Sequence, residues 1–159
     1  PLWLVGADLK EANLSGASLK RANLYSSNLS GADLRWAILE EATLNTANLN
    51  EADLREALLG AAKLIGAHLR GANLKWADLT RANLLKADLN HADLEYTNLT
   101  GADLKEAKLC GANLGGANLG ALAYTSEPDF KGAEYTKNTI WPDGFDPEKA
   151  GAVLVASDE

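Results

Sequence analysis

The residues of this chain that could carry out chemistry are few and scattered. Among 159 residues there are two histidines, His68 and His91, and a single cysteine, Cys110, which excludes a disulfide within the chain. A metal site needs three or four converging ligands. The two histidines occupy different positions of the repeat described below, so they predict no such site. Cys110 has no histidine placed to act as its base. We therefore expect no enzyme activity, no metal and no cofactor.

The feature that organises the chain is a leucine at every fifth residue. The series runs from Leu4 to Leu119 without exception, 24 positions in all. Alanine lies two residues before each of these leucines except at Leu2, Ser27 and Thr97. The residue between them is Asn or Asp in 16 of the 24 repeats. With the leucine named position i, the repeat is Ala-(Asn/Asp)-Leu-x-x.

A period of five residues is incompatible with a single helix or an unbroken strand. On an α-helix, five residues advance about 500°, so successive leucines would spiral around the axis. On a strand, an odd step would send alternate leucines to opposite faces. A chain that bends once per repeat keeps positions i−2 and i inward and position i−1 outward, with the corner at i+1 and i+2. Stacked on itself, such a polygonal coil forms a solenoid.

The composition of position i+2 supports a corner there. Glycine occupies this position in eight repeats, and a type II-like corner needs a positive φ. The outward Asn or Asp at i−1 can hydrogen-bond to neighbouring backbone at such corners. The eight glycines are Gly6, Gly16, Gly31, Gly66, Gly71, Gly101, Gly111 and Gly116.

These repeats resemble the pentapeptide-repeat family over roughly three-quarters of the chain. Leucine at i with alanine at i−2 is similar to the leucine-centred members that are abundant in cyanobacteria. The resemblance implies an all-β fold, a right-handed quadrilateral β-helix with four repeats per coil. It then predicts about six coils, on the order of 29 Å tall at about 4.8 Å per coil. We assign the β-helix to residues 1–120 and an irregular final coil with a C-terminal cap to residues 121–159.

Both ends of the chain depart from the repeat. Residues 1–5 are apolar where Ala and Asn/Asp usually lie, which suits a partial cap on the N-terminal end. Beyond residue 120 the register loosens, and larger side chains are expected to close the final coil over the core. The predicted inward positions there are Tyr124, Phe130, Tyr135 and Ile140.

The last part of the chain carries signals for a short helix. The sequence Asp-Pro-Glu at 146–148 provides an N-cap, a proline at the first helical position and an acid in the first turn. We predict a short capping helix near residues 147–155. Val153 and Leu154 would then help to cover the C-terminal end of the core.

With four repeats per coil, residues 20 apart stack in columns on the surface. The column best suited to a protein partner combines aromatic rings at i+2 with bases at the neighbouring i+1 position. The alternative is that these rings lie over the corners and add ordinary packing between coils. The candidate residues are Trp36, Trp76, Tyr96, Arg35, Arg55 and Lys75.

A second column on another face is largely apolar and suggests self-association. It contains Val5, Tyr25, Ile65 and Leu85, with Asn45 between them. Isolated exposed apolar residues are normal, so the alternative is that this column has no partner. A homodimer through these side chains is a hypothesis that the sequence allows.

The charge distribution limits the kinds of partner. The net charge is −7, but residues 1–120 contain 14 acids and 12 bases, a net of −2, and residues 121–159 contain eight acids and three bases, a net of −5. No face is strongly basic, so we do not expect direct nucleic-acid binding. We interpret the chain as a non-catalytic structural or protein-interaction module with an unidentified protein partner. The alternative is a DNA-mimicking inhibitor or protector of DNA gyrase, as in family members linked to fluoroquinolone resistance, and it would need a strongly acidic barrel.

The sequence contains no apolar run long enough to span a membrane and no signal-peptide pattern at its start. We therefore expect no membrane association and favour the cytoplasm. The periplasm or the thylakoid lumen would follow if a signal had been removed.

Overall fold

The structure, a computed structural model, describes residues 2–122 and 128–156. In it, the residue at i−1 of each repeat forms a parallel bridge with the residue 20 positions later, from Trp3 with Asn23 to Asn98 with Asn118. Four repeats therefore complete one coil, and identical repeat positions lie directly above one another. The predicted stacking of residues 20 apart is confirmed.

Regular secondary structure is sparse because each side of the coil offers only one residue to a bridge. In the described part of the chain the strands are β1 (Glu134–Tyr135) and β2 (Val153–Leu154). They are parallel, with Glu134 opposite Val153 and Tyr135 opposite Leu154. No helix of the described residues is long and apolar enough to span a bilayer.

Backbone hydrogen bonds join each coil to the next on every side. The leucine N–H donates to the C=O of position i−1 in the following coil, as from Leu54 to Asn73 at 2.7 Å. The N–H of position i−1 donates to the C=O of position i−2 in the preceding coil, as from Asp53 to Ala32 at 2.9 Å. This parallel pairing fixes the register of the whole stack.

The interior is filled by the leucines at i and the alanines at i−2, as predicted. The ladder leucines from Leu19 to Leu119 are at most 4% exposed, and the alanines between them at most 1%. At the N-terminal end, Leu4, Leu9 and Leu14 are only partly buried, because no coil of the described chain lies beyond them.

The corners have the positive φ that the glycines indicated. All 24 residues at position i+2 between residues 6 and 121, each of them described, have φ between 52° and 68°. Sixteen of these are not glycine, and they include the β-branched Thr46. An L-residue in this region costs about 1–2 kcal/mol, so the ladder and the buried leucines hold the corners in a conformation that most of these side chains disfavour.

The outward Asn and Asp side chains complete the corners. Among the described residues, all 16 of these side chains at i−1 accept a hydrogen bond through Oδ1 from the N–H of position i+1. That N–H takes no part in the ladder between coils. The Asx turn therefore satisfies a donor that the fold would otherwise leave free.

In three repeats without Asn or Asp at i−1, the N–H of position i+1 donates instead to a side chain of the preceding coil. In each, an asparagine at i+1 one coil earlier accepts the N–H at 2.9–3.0 Å. The pairs are Asn45 with Ile65, Asn50 with Arg70 and Asn90 with Cys110. The residues at i−1 of these repeats are Lys63, His68 and Lys108.

This exchange of acceptors can be tested with one pair of substitutions. Asn90→Ala should lower the free energy of unfolding by about 1 kcal/mol, since it removes the acceptor for the Cys110 N–H. Adding Lys108→Asn should restore most of the loss, because it supplies a local Asx acceptor. Urea unfolding followed by circular dichroism measures both. Equal stability of the single and double variants would contradict the assignment.

The predicted N-terminal cap is wrong. Leu2, Trp3 and Val5 are 52%, 72% and 55% exposed. Trp3 pairs with Asn23 as an ordinary wall residue, so its side chain points outward rather than across the end of the core.

The final coil follows the prediction at two positions and departs from it at a third. Phe130 and Tyr135 are buried, whereas Ile140 points outward and is 54% exposed. The turn in which Thr139 donates to the C=O of Thr136 starts one residue after Tyr135, so Thr139 takes the inward place. The register thus slips a second time. The predicted inward position of Tyr124 lies outside the described residues.

The predicted helix near residues 147–155 is also wrong. The segment forms one turn, in which Gly151 donates to the C=O of Glu148 and Ala152 donates to the C=O of Pro147. Gly151 has φ of 86°, the left-handed conformation that ends a helix. The chain then extends into β2, where Val153 and Leu154 are 50% and 55% exposed and do not cover the core as predicted.

Aromatic rings cover the C-terminal end of the core instead. Trp141 meets Phe130 and Tyr135 edge to face and stacks on Phe145. These contacts explain why the last coil closes without a helix.

Candidate interaction surface

One side of the stack presents four successive i+2 residues as a single column. The residues of this aromatic column are Trp36, Glu56, Trp76 and Tyr96. Their φ values lie between 56° and 61°, so every side chain projects from the same kind of corner. The three rings are 51%, 61% and 42% exposed. The structure therefore brings the predicted aromatic residues together on one exposed edge.

The last two residues of the column, toward the C-terminus, form a ring stack. Trp76 and Tyr96 are nearly parallel, with ring centroids 4.3 Å apart and an interplanar angle of 16°. Tyr96 in turn lies flat over Gly116, where an added Cβ would come within 2.5 Å of two ring carbons. Packing between coils thus accounts for one face of Trp76. The indole remains largely exposed.

At the N-terminal end of the column, the Trp36 ring is already in contact with a cationic side chain of the protein. The guanidinium carbon of Arg35 lies 5.3 Å from the centroid of the Trp36 ring. This is within the range of a cation–π interaction. A ring of this column can therefore bind a guanidinium.

The bases beside the column are paired with acids of the same wall. The Arg35 guanidinium bonds to Asp33 at 2.6 Å and 2.8 Å, and its Nε lies 3.7 Å from Asp53. The other two bases make similar contacts: Arg55 with Asp53 at 2.6 Å, and Lys75 with Glu95 at 2.7 Å and with Asp93 at 3.3 Å. The predicted basic ladder is therefore largely neutralised within the protein.

These pairs shift the protonation of their members. Hydrogen bonds from Arg35 lower the pKa of the Asp33 carboxyl to about 2. Hydrogen bonds from Arg55 lower the pKa of Asp53, and the Glu95 carboxylate raises the pKa of Lys75. Asp33, Asp53 and Lys75 are therefore charged near neutral pH.

The Asp33 pair predicts a pH dependence. Its carboxyl pKa lies below the unfolded value of about 3.9, so the pair stabilises the folded chain above about pH 4, and this contribution is lost as the pH falls through about 2. Arg35→Gln should raise the Asp33 pKa, as measured by carboxyl ¹³C titration. Arg21→Gln, which breaks a pair with Glu41 on another face, should leave it unchanged. A wild-type Asp33 that titrates near 3.9 would show that the pair does not form in solution.

A cleft continues the aromatic column toward the C-terminus. It has a volume of about 310 Å³. A shallower depression lies at Glu56 and Trp76. The cleft residues are Glu95, Tyr96, Asn113, Gly115, Glu134, Thr136, Val155 and Ala156.

The second predicted column is less exposed than expected. Val5 and Tyr25 are 55% and 46% exposed, whereas Ile65 and Leu85 are half-buried. Asn45 separates the two pairs, and its Oδ1 accepts a hydrogen bond from the Ile65 N–H. The structure does not present these four side chains as one continuous apolar strip.

The candidate chemical residues do not assemble into a site in the described chain. His68 pairs with Asp88 in the wall, and His91 lies over Gly111. Within residues 2–122 and 128–156, no three His, Cys, Asp or Glu side chains could hold a metal ion. The Cys110 Sγ donates to Asp129 at 3.2 Å, and burial together with that carboxylate raises the pKa of the thiol. A raised pKa opposes thiolate formation near neutral pH.

Comparison with known protein families identifies the same repeat. The sequence model described as Pentapeptide repeats matches this chain in eight copies, over residues 4–40, 27–62, 47–84, 57–95 and 87–120. The chain belongs to the pentapeptide-repeat family. Its fold is accordingly the right-handed β-helix solenoid of that family. No curated protein matches it significantly.

Several solved pentapeptide-repeat proteins are similar to this one. HetL of the cyanobacterium Nostoc sp. strain PCC 7120, which is involved in regulation of heterocyst differentiation, is 37% identical over 90% of this chain, with a TM-score of 0.47. The chain spans 65% of the length of HetL. The protein alr5209 of Nostoc PCC 7120 is 34% identical, with 77% of this chain and 84% of that one covered and a TM-score of 0.52.

A plant protein shows the same similarity. A pentapeptide-repeat protein from the Arabidopsis thaliana thylakoid lumen is 33% identical over 60% of this chain and 67% of its own length, with a TM-score of 0.45.

Two parts of the surface of this pentapeptide-repeat protein were missed at the level of sequence. One is Gly116, which receives the Tyr96 ring, and the signal for it was a glycine 20 residues after an aromatic residue at i+2. The other is Glu134 at the cleft. No sequence signal places it there, because the slipped register and the pairing of β1 with β2 build that cleft.

The role of Gly116 predicts a specific defect. Gly116→Ala should displace the Tyr96 ring and abolish the near-ultraviolet circular dichroism of the Trp76–Tyr96 stack. Gly101→Ala is the control, since Gly101 has the same kind of φ and its nearest neighbour to an added Cβ is 3.5 Å away. Both variants should lose about 1 kcal/mol of stability from the corner. Retention of the aromatic signal in Gly116→Ala would contradict the assignment.

Proposed function

We propose that this pentapeptide-repeat protein is a non-catalytic interaction module whose working surface is the aromatic column. The observation that supports this most directly is the exposed stack of Trp76 on Tyr96. Tryptophan and tyrosine bury large areas on binding and are enriched among residues that dominate protein interfaces. A partner that covered the open ring faces would gain this burial.

The rigidity of the fold favours the same role. At four repeats per coil, the repeats correspond to six coils, a rod about 29 Å long at about 4.8 Å per coil. A packed Leu/Ala interior and paired coils fix the rings before binding. Little conformational entropy is therefore lost in ordering this surface when a partner binds.

The aromatic side of the described residues offers no specific support for the alternative of a DNA mimic. Such a surface would need a row of free carboxylates along the barrel. On the aromatic side, Asp33, Asp53 and Asp93 are each paired with a base of the same wall. Association of two copies through Val5, Tyr25, Ile65 and Leu85 stays a prediction.

Selection from a random peptide library tests the proposed surface. The bait is the wild-type protein, and binders are compared on a variant carrying Trp36→Ser, Trp76→Ser and Tyr96→Ser, whose folding is checked by circular dichroism. We expect selected peptides to lose at least about tenfold in affinity on the variant, as for hot-spot residues. Peptides that bind both proteins equally would place the binding surface elsewhere.

A further inference from the structure

We infer that the aromatic column takes an extended basic segment of a partner protein, with one cationic side chain against Trp76 and Glu56 and a second in the cleft beside Glu134. This inference rests on the proposed function and specifies the chemistry of the partner. Charge complementarity at two points, one in the column and one in the cleft that continues it, supports the inference.

The first point is the unpaired carboxylate of Glu56. This side chain is exposed, and no cation of the described residues pairs with it. The base beside it, Arg55, bonds instead to Asp53 at 2.6 Å and 2.8 Å. A carboxylate without a counter-ion next to an exposed indole is complementary to a cation.

The exposed indole of Trp76 lies beside Glu56 and completes this first binding point. Tyr96 covers one face of the indole, and the ring is 61% exposed. Trp76 and Glu56 line the same shallow depression. A guanidinium placed there could stack on the indole and bond to the carboxylate, as Arg35 already does with Trp36 and Asp33.

The other point is the cleft below Tyr96. Glu95 and Glu134 both line it, and no basic side chain does. Glu95 pairs with Lys75, whereas Glu134 has no cationic partner within the described residues. Glu134 is therefore the second carboxylate on this side that is free to receive a cation.

The distance between the two points sets the spacing of the partner's charges. Glu56 and Glu134 belong to walls four coils apart, about 19 Å along the axis at about 4.8 Å per coil. An extended chain rises about 3.3 Å per residue, so two bases about six residues apart would reach both points. The residues between them would cross the Trp76–Tyr96 stack.

A designed peptide tests this inference. The probe is an acetylated and amidated glycine–serine peptide with two arginines six residues apart. The readout is the indole N–H shift of Trp76 in ¹H–¹⁵N spectra at low salt. We expect saturable binding that weakens by at least about fivefold when citrulline, a neutral isostere, replaces both arginines.

The protein supplies a matched control for the carboxylate. Glu51 occupies the same i+2 position as Glu56 and is also exposed. Its φ is 59° and that of Glu56 is 57°. The column neighbours of Glu51, however, are Gly31 and Gly71. Glu56→Gln should weaken binding of the arginine peptide by at least about threefold, the size expected for one exposed charge pair with a ring contact. Glu51→Gln should leave it within about the error of the titration, because long-range attraction is screened. Glu134→Gln should act like Glu56→Gln.

Three results would overturn the inference: no saturable shift, equal binding of the citrulline peptide, or equal loss in Glu51→Gln and Glu56→Gln. The last would indicate general attraction to an acidic protein. The library selection separates this failure from failure of the proposed function. Selected peptides that depend on the aromatic rings but lack basic residues would retain the interaction surface and reject the basic partner.

Discussion

Parallel backbone pairing between residues 20 apart is the interaction on which the other features of this protein depend. It places every leucine above a leucine and every corner above a corner. Surface properties therefore belong to columns rather than to single residues. The Trp76–Tyr96 stack, the Arg21–Glu41 pair and the Lys75–Glu95 pair all follow from this one register.

The pairing has a local cost at every corner, and the repeat contains its own compensation. Position i+2 takes a positive φ whether or not glycine is present, and Trp36 and Thr46 accept it. The N–H of position i+1 has no place in the ladder, and the Asx acceptor at i−1 satisfies it. Where lysine or histidine replaces that acceptor, as at Lys63, an asparagine one coil earlier provides the bond. The strict leucine and alanine positions and the looser Asn/Asp position thus reflect different demands: burial for the first two and satisfaction of one donor for the third.

For binding, the most informative feature is which charges the wall leaves unpaired. Arg35, Arg55 and Lys75 lie beside the aromatic rings, but acids neutralise them: an aspartate of the same repeat for each arginine, and Glu95 of the next coil for Lys75. What remains available is aromatic surface together with the carboxylates of Glu56 and Glu134. The surface is therefore better suited to a basic partner than to an acidic one.

The sequence by itself determined the repeat, the inward leucines and alanines, the positive φ at the corners and the columns that contain Trp36, Trp76 and Tyr96. The repeat, the inward residues and the corners follow from a strict period of five, because a regular repeat leaves the chain few ways to bury every leucine. The columns follow from the four repeats per coil that the family resemblance implies. The tertiary structure alone decided the ends and the charges. Ile140 turned outward because one additional residue entered the turn after Tyr135, and the helix signal at 146–148 produced a single turn because Gly151 ends it and β2 pairs with β1. Which surface charges are paired depended on side-chain geometry, which spacing does not encode. The spacing shows that residues 20 apart lie next to each other in successive coils. Whether a base pairs with the acid of its own repeat or remains free is settled by rotamers and distances.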